Sequence, residues 1–172
     1  MIFHYCPKCG NALKNKIVEA KHPAQLACKN KACGYVFYLN STPAVVALIV
    51  KGDQVLLTKR GIAPKKGEWS LPGGFLENGE EPLKGLRREI KEELKVAVCN
   101  PKIVGIFIDT YTSEIKHVLV IFYQVRLCAR SRPKTTKEVT DIAWFSLDTV
   151  PRLPFRSHKQ AIEAWRKIKR AR

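Results

Sequence analysis

Four cysteines near the start of the chain form two close pairs, Cys6 and Cys9 in "CPKC" and Cys28 and Cys33 in "CKNKAC". A segment of about forty residues has too small an apolar core to fold without a staple. Two thiol pairs separated by a loop match the ligand pattern of a four-thiolate zinc site, because tetrahedral Zn²⁺ takes four soft donors from two hairpin knuckles. Gly10 and Gly34 follow the pairs and suit tight turns there. The second pair is wider than C-x-x-C. Four protein ligands close the coordination sphere, so a zinc ion here is structural. A redox dithiol lacks a surrounding βαβ pattern, and idle thiols are the remaining alternative. The expectation is a zinc ribbon over residues 1–40, then a larger domain over residues 41–172 ending in a basic helix.

The larger domain opens on "AVVALIV", whose β-branched content reads as a buried strand. "KGD" is a hairpin turn into a second strand, "QVLLT", and the loop "KRGIAPKKGE" follows. "WSLPGG" is a short extended piece. A helix begins near Glu81 or Pro82, since Pro is tolerated in a first turn. Two long strands, "KIVGIFIDTYT" and "KHVLVIFYQVRL", flank "SEI" as a hairpin loop, and "IAWFSL" is a further strand. The last helix has Ser157 as its expected N-cap and docks through Ala161, Ile162, Trp165 and Ile168. Cys99 and Cys128 read as small core residues. A β-rich domain with helices on its faces results.

The 172 residues carry a formal charge of +16. That balance suits a polyanionic partner, whether nucleic acid, nucleotide phosphate or an acidic surface, or else a solubilising basic exterior. No apolar run reaches membrane-spanning length, which excludes a helical membrane protein. The start "MIFHYCPKCG" does not read as a signal peptide. A cytoplasmic protein is expected, with free or metal-bound thiols rather than disulfides.

Against this charge, "GGFLENGEEPLKGLRREIKEEL" concentrates glutamates. Wound at about 100° per residue, Leu83, Leu86, Ile90, Leu94 and Ala97 form one apolar stripe. Lys84, Arg87, Lys91 and Lys95 lie opposite. Glu89, Glu92 and Glu93 fall between within an arc of about 100°, with Glu93 nearest the stripe and no basic residue in the cluster. Like charges at this spacing cost a helix roughly 0.2–0.5 kcal/mol per pair. The cluster makes sense if a hard divalent cation, Mg²⁺ or Mn²⁺, sits on it to serve phosphate chemistry. An exposed acidic patch is the alternative. The flexible "LPGG" backbone lies beside it.

These residues resemble the Nudix hydrolase signature, G-x5-E-x7-R-E-U-x-E-E-x-G-U, where U is bulky and apolar. Gly74, Glu80, Arg88, Glu89, Ile90, Glu92, Glu93 and Val96 stand at its positions. "VLLTKR", "GEWSLPGGF" and "AWFSLDTVP" are similar to the family's flanking segments, so the resemblance covers about residues 42–165. Lys95 replaces the signature's second glycine. A lysine in a left-handed cap is strained by about 1 kcal/mol, so the helix is expected to run one residue longer or to end differently.

The resemblance implies an α/β fold, the Nudix α/β/α sandwich with a mixed sheet, preceded here by the zinc ribbon. It implies a pyrophosphatase that splits the P–O–P bond of a nucleoside diphosphate linked to another moiety. By position, Glu89, Glu92 and Glu93 would ligate Mg²⁺ or Mn²⁺ with the Gly73 carbonyl, and Glu80 and Arg88 would hold loop and helix in register. Glu138 stands where the ribbon-bearing branch places a further catalytic and metal-binding Glu. Lys59 and Arg60 are candidate phosphate contacts, and Trp69 reads as core rather than as a platform for a base. That branch includes NADH, ADP-ribose and FAD pyrophosphatases and often forms homodimers. The S-Q-P-W-P-F-P-x-S element of NADH pyrophosphatases has no counterpart in "VGIFIDTYTSEIKH", so ADP-ribose or an FAD-like substrate is favoured. Hydrolysis of NADH or of nucleotide-capped RNA 5′ ends, gripped by the basic surface, is the alternative. A nucleic-acid-binding module with an inactive Nudix fold is a second one, disfavoured by the complete carboxylate set.

Overall fold

Backbone pairing divides the chain into two units, Met1–Asn40 and Ser41–Arg172. The structure is a computed structural model that describes residues 3–20, 23–110 and 117–171. In the first unit β1 (Leu13–Lys16), β2 (Gln25–Cys28) and β3 (Val36–Phe37) form a three-stranded antiparallel sheet in the order β1-β2-β3. Among its described residues the buried apolar ones are few: Cys6, Leu13 and Ala27. Gly10 (φ +71°) and Gly34 (φ +64°) take left-handed turns directly after each thiol pair.

The second unit is built on β4 (Thr42–Lys51), whose residues Ala44–Val50 are all buried. Burial on both faces is what a β-branched run without alternation dictates. β4 turns through Gly52 into β5 (Gln54–Arg60), but the two strands pair only at Val50–Val55 and Lys51–Gln54. Beyond that point they part. β6 (Trp69–Ser70) continues along β5, and β7 (Gly73–Phe75) continues along β4. β9 (His117–Leu127) runs parallel to β4, and β8 (Val98–Thr110) is antiparallel to β9. β10 (Val139–Ser146) closes the other side on β5, giving the order β10-β5-β4-β9-β8.

Successive side chains alternate across this sheet and build two cores. On one face Val45, Ala47, Ile49 and Leu56 meet Leu86, Ile90 and Leu94 of α1 (Pro82–Leu94). On the other, Val46, Leu48, Leu57 and Phe122 meet Ala161, Ile162 and Trp165 of α2 (Arg156–Arg170). Fully burying a residue such as Ile90 is worth about 1.5–3 kcal/mol, so each helix is held by its stripe rather than by its caps. The result is the expected α/β/α sandwich with a mixed sheet. Among the described residues no helix is long and apolar enough to cross a membrane.

Several local expectations are corrected. α1 ends at Leu94, and Lys95 itself adopts the left-handed cap (φ 59°, ψ 29°) with its N–H donating to Lys91 O. The helix therefore does not run on, and Lys accepts the strain that Gly would avoid. Ala97 then leaves the helical stripe and is exposed, while Val96 and Val98 take the buried positions. Ile168 lies beyond the core of α2 and is also exposed. The N-cap of α2 is Phe155, not Ser157. The acceptor comes from another element, because Asp109 Oδ2 takes the Ser157 N–H at 2.8 Å. Cys99 and Cys128 are half-buried and joined by a disulfide, since the paired ends of β8 and β9 bring their Cα atoms to 5.3 Å. The "SEI" loop lies outside the described residues.

Candidate active site

Where β4 and β5 part, a cavity of about 380 Å³ opens between them. Thr58, Arg60 and Ser70 line it from the β5–β6 side, and Ala44, Val46 and Gly73–Phe75 from the β4–β7 side. Because the gap passes through the sheet, both helices reach it. α1 contributes Glu89 and Glu93, the segment before β10 contributes Glu138, and α2 contributes Ser157 and His158 beside Asp109 of β8. Alternation along β5 sends Thr58 and Arg60 into the cavity and Lys59 away from it, where its Nζ lies over the Trp69 ring. Lys59 is thus corrected from the cavity contacts. Trp69 packs edge-on against Phe145 beside the core.

The acidic end is organised by Arg88. Its Nε and Nη2 fork onto the two oxygens of Glu80 at 2.9 and 2.8 Å, and Nη2 also donates to Phe75 O at 3.0 Å. This ties the loop after β7 to α1. Arg88, helped by the Glu77 N–H, holds the Glu80 carboxyl down at about 2. Arg88 Nη1 reaches Glu89 at 2.8 Å and Glu92 at 3.2 Å. The helical projection left the carboxylates without a basic neighbour. It follows the Cβ direction, whereas a long guanidinium reaches across a turn. Glu93 Oε2 instead accepts the Gly73 N–H at 3.0 Å. Burial pushes the Glu93 carboxyl up to about 8, and it also raises Glu89 against the pull of Arg88. Gly73 is required by close approach, because at φ +142° a Cβ there would come within 2.2 Å of the Val45 carbonyl oxygen, whereas a Cβ at Gly74 would meet only the movable Glu89 carboxyl.

Glu89, Glu93, Glu138 and Gly73 therefore face one cavity, while Glu92 sits at its outer side on Arg88. A donor set of carboxylates and backbone oxygen suits a hard divalent cation. In the first unit Cys6, Cys9, Cys28 and Cys33 place all four Sγ atoms within 4.8 Å of one another. The Cys6–Cys33 and Cys9–Cys28 separations are 3.8 and 3.5 Å. A zinc tetrahedron with Zn–S of about 2.3 Å has edges of about 3.8 Å, so the dimensions fit. Among the described residues this is the one group of His, Cys, Asp and Glu donors drawn that closely together. The carboxylates are held apart by Arg88 and the Gly73 N–H.

Residues 40–166 match the NUDIX domain. The chain belongs to the NUDIX family. An ADP-ribose pyrophosphatase from Methanocaldococcus jannaschii is 30% identical over 135 residues, covering 78% of this chain and 79% of that protein. A protein named NAD-capped RNA hydrolase NudC, from Pseudomonas aeruginosa, is 28% identical over 152 residues, covering 87% of this chain and 50% of the relative. The chain spans about half the length of these NudC relatives. The crystal structure of a NUDIX hydrolase from Nitrosomonas europaea is similar over 94% of this chain and 89% of that one, with a TM-score of 0.72 and 25% identity.

Within this NUDIX domain, sequence reasoning missed Asp109, Phe155, Ser157 and His158 as cavity residues. Asp109 lay inside a strand pattern and the other three at a helix start. No local motif joins segments that far apart.

Proposed function

We propose that this NUDIX protein is a metal-dependent pyrophosphatase that splits the P–O–P bond of a nucleoside diphosphate linked to another moiety, with ADP-ribose or an FAD-like compound as substrate. The observation that carries this is the meeting of Glu89, Glu93, Glu138 and Gly73 with Arg60 in one cavity. NUDIX hydrolases generally use a divalent metal, and here Glu89, Glu92, Glu93, Glu138 and the Gly73 carbonyl would hold Mg²⁺ or Mn²⁺. Such a cation neutralises diphosphate charge and acidifies a water. Arg60 supplies positive charge on the cavity wall for the substrate phosphates. Arg88 and Glu80 act as positioning residues that keep the Gly73–Phe75 backbone against α1. One carboxylate must take the proton of the attacking water. Glu138 is exposed at the rim, with its carbonyl fixed by the Gly61 N–H at 2.7 Å, and suits that role. The ribbon, over residues 1–40, would carry a structural Zn²⁺ on Cys6, Cys9, Cys28 and Cys33. The NUDIX domain occupies residues 41–172, and the protein is cytoplasmic.

Two further partners fit. The NudC relatives and the exposed Lys167 and Arg170 at the basic end of α2 favour capped RNA as a second substrate class. Ile103, Ile106 and Ile108 stand exposed along the edge strand β8 and offer apolar surface for a homodimer. A turnover screen of ADP-ribose, FAD, NADH, diadenosine polyphosphates and NAD-capped RNA with Mg²⁺ or Mn²⁺ tests the proposal. AMP and the other phosphate ester are the expected products from ADP-ribose. A clear preference for NADH overturns the substrate choice alone. Metal-independent behaviour, or no turnover of any diphosphate, sinks the activity. Activity on RNA should fall steeply with salt if the basic surface grips the strand.

A further inference from the structure

The side of the cavity away from α1 differs in chemistry from the acidic end. Ser157 is 1% exposed, lines the cavity, and its Oγ has no hydrogen-bond partner among the described residues. A buried hydroxyl left unmatched is costly, and because this one lines the cavity a ligand group lodged there can satisfy it. Beside it stands the Asp109 carboxylate, whose oxygens accept the Ser157 and Thr110 N–H groups at 2.8 Å each. Each oxygen retains a second lone pair that can accept. His158 is buried and accepts the Leu71 N–H at Nδ1 (3.2 Å), so it is the neutral Nε2–H tautomer. Burial holds its pKa down at about 3, which keeps it uncharged. The remaining wall is formed by Val118 and Val120, with the Phe155 ring beside them covered by the Arg60 guanidinium at 5.4 Å.

We propose that Asp109 and Ser157 form a specificity subsite for the nucleobase of the substrate, and that they select an aminopurine by its exocyclic amine. This rests on the pyrophosphatase reading and deepens it. The wall offers an anionic acceptor, a free hydroxyl and flat apolar surface. An exocyclic amine donates to Asp109, a ring nitrogen accepts from Ser157 Oγ, and the ring lies against Val118 and Val120. A ribose would set hydroxyls against the valines. A phosphate would meet the Asp109 charge, with Arg60 the one cation among the cavity-lining residues. A base with a carbonyl in place of the amine would set an acceptor against a carboxylate, which is rejected because neither group has a proton to share.

Two measurements on the full chain test this. The first is equilibrium binding of AMP against inosine monophosphate, which needs no turnover and so stands even if the hydrolase reading fails. The wild-type protein should bind AMP about tenfold or more tightly, as expected for a hydrogen bond to a charged group. The second compares ADP-ribose with its hypoxanthine analogue. Asp109→Asn keeps an acceptor for the Ser157 N–H but brings an amide donor, and it should erase or invert the preference. Ser157→Ala removes an unbonded oxygen, should fold normally, and should raise KM several-fold with kcat nearly unchanged. Equal binding of AMP and inosine monophosphate overturns the subsite, as does a base preference that survives Asp109→Asn. A kcat loss without a KM change in Ser157→Ala would assign that residue to the chemistry and also overturn it.

Discussion

The two units answer the same physical problem differently. Among its described residues, Met1–Asn40 buries almost nothing apolar beyond Cys6, Leu13 and Ala27, and it gathers four thiols at one point. Ser41–Arg172 buries two continuous apolar layers and leaves its carboxylates spread around a cavity. Where burial supplies the stability, polar residues can be placed for chemistry at some cost to the fold. Where burial is absent, the polar residues must hold the fold themselves. The two donor sets should therefore respond in opposite ways to loss of a ligand.

The largest effect is expected in the ribbon. Cys28→Ser, or stripping the protein with a chelator, should abolish amide-exchange protection in β1, β2 and β3, because metal binding is folding free energy in such segments. Residues 41–172 should keep their melting transition. Exchange protection that survives in chelated protein free of zinc would break the contrast. Next in size, Glu93→Gln should lower turnover by at least about two orders of magnitude, as for other groups that stabilise developing charge. The melting temperature should hold or rise, because the variant removes a carboxyl that burial penalises. Near-native turnover with Mg²⁺ would remove Glu93 from the machinery.

A smaller effect concerns pH. His158 has its folded pKa depressed to about 3 from the ordinary 6.5. Between those values the unfolded chain binds a proton that the folded chain refuses, so the His158 contribution to stability is lost as pH drops below about 6.5, while the raised Glu93 carboxyl acts in the opposite direction down to about 4.5. His158→Gln should raise stability at acid pH relative to the parent and leave it unchanged above about pH 7, measured by urea titration at stepped pH. An unchanged slope would show that other groups govern the acid limb. The smallest change is Lys95→Gly. It relieves a left-handed lysine and should stabilise the domain by at most about 1 kcal/mol, since glycine also loses more chain entropy on folding. A destabilised variant would show that the Lys95 side chain makes a contact worth more than its strain.

What could be read beforehand was what lies close in sequence. The stripe of Leu86, Ile90 and Leu94, the Pro82 start and the buried run Ala44–Val50 follow from periodicity and composition. The partition of "WSLPGG" between two different partner strands does not, because pairing depends on how far β4 and β5 diverge. Arg88 was legible as a partner of Glu80 but not of Glu89 and Glu92, since side-chain reach is invisible in a projection. The Cys99–Cys128 bridge and the Asp109–Ser157 contact join residues far apart along the chain. Only the register of β8 on β9 and the docking of α2 bring them together.

The parting of β4 and β5 has one more consequence. A sheet normally transmits force along unbroken ladders of hydrogen bonds, and here the ladder is cut after four residues. A ligand lodged in the gap touches both cut edges and both helical layers at once. It completes mechanically what the backbone leaves open. Occupancy should then slow opening of Trp69–Phe75 and of the facing ends of α1 and α2 together, so that these separate segments breathe as one when a substrate is held and independently when it has gone.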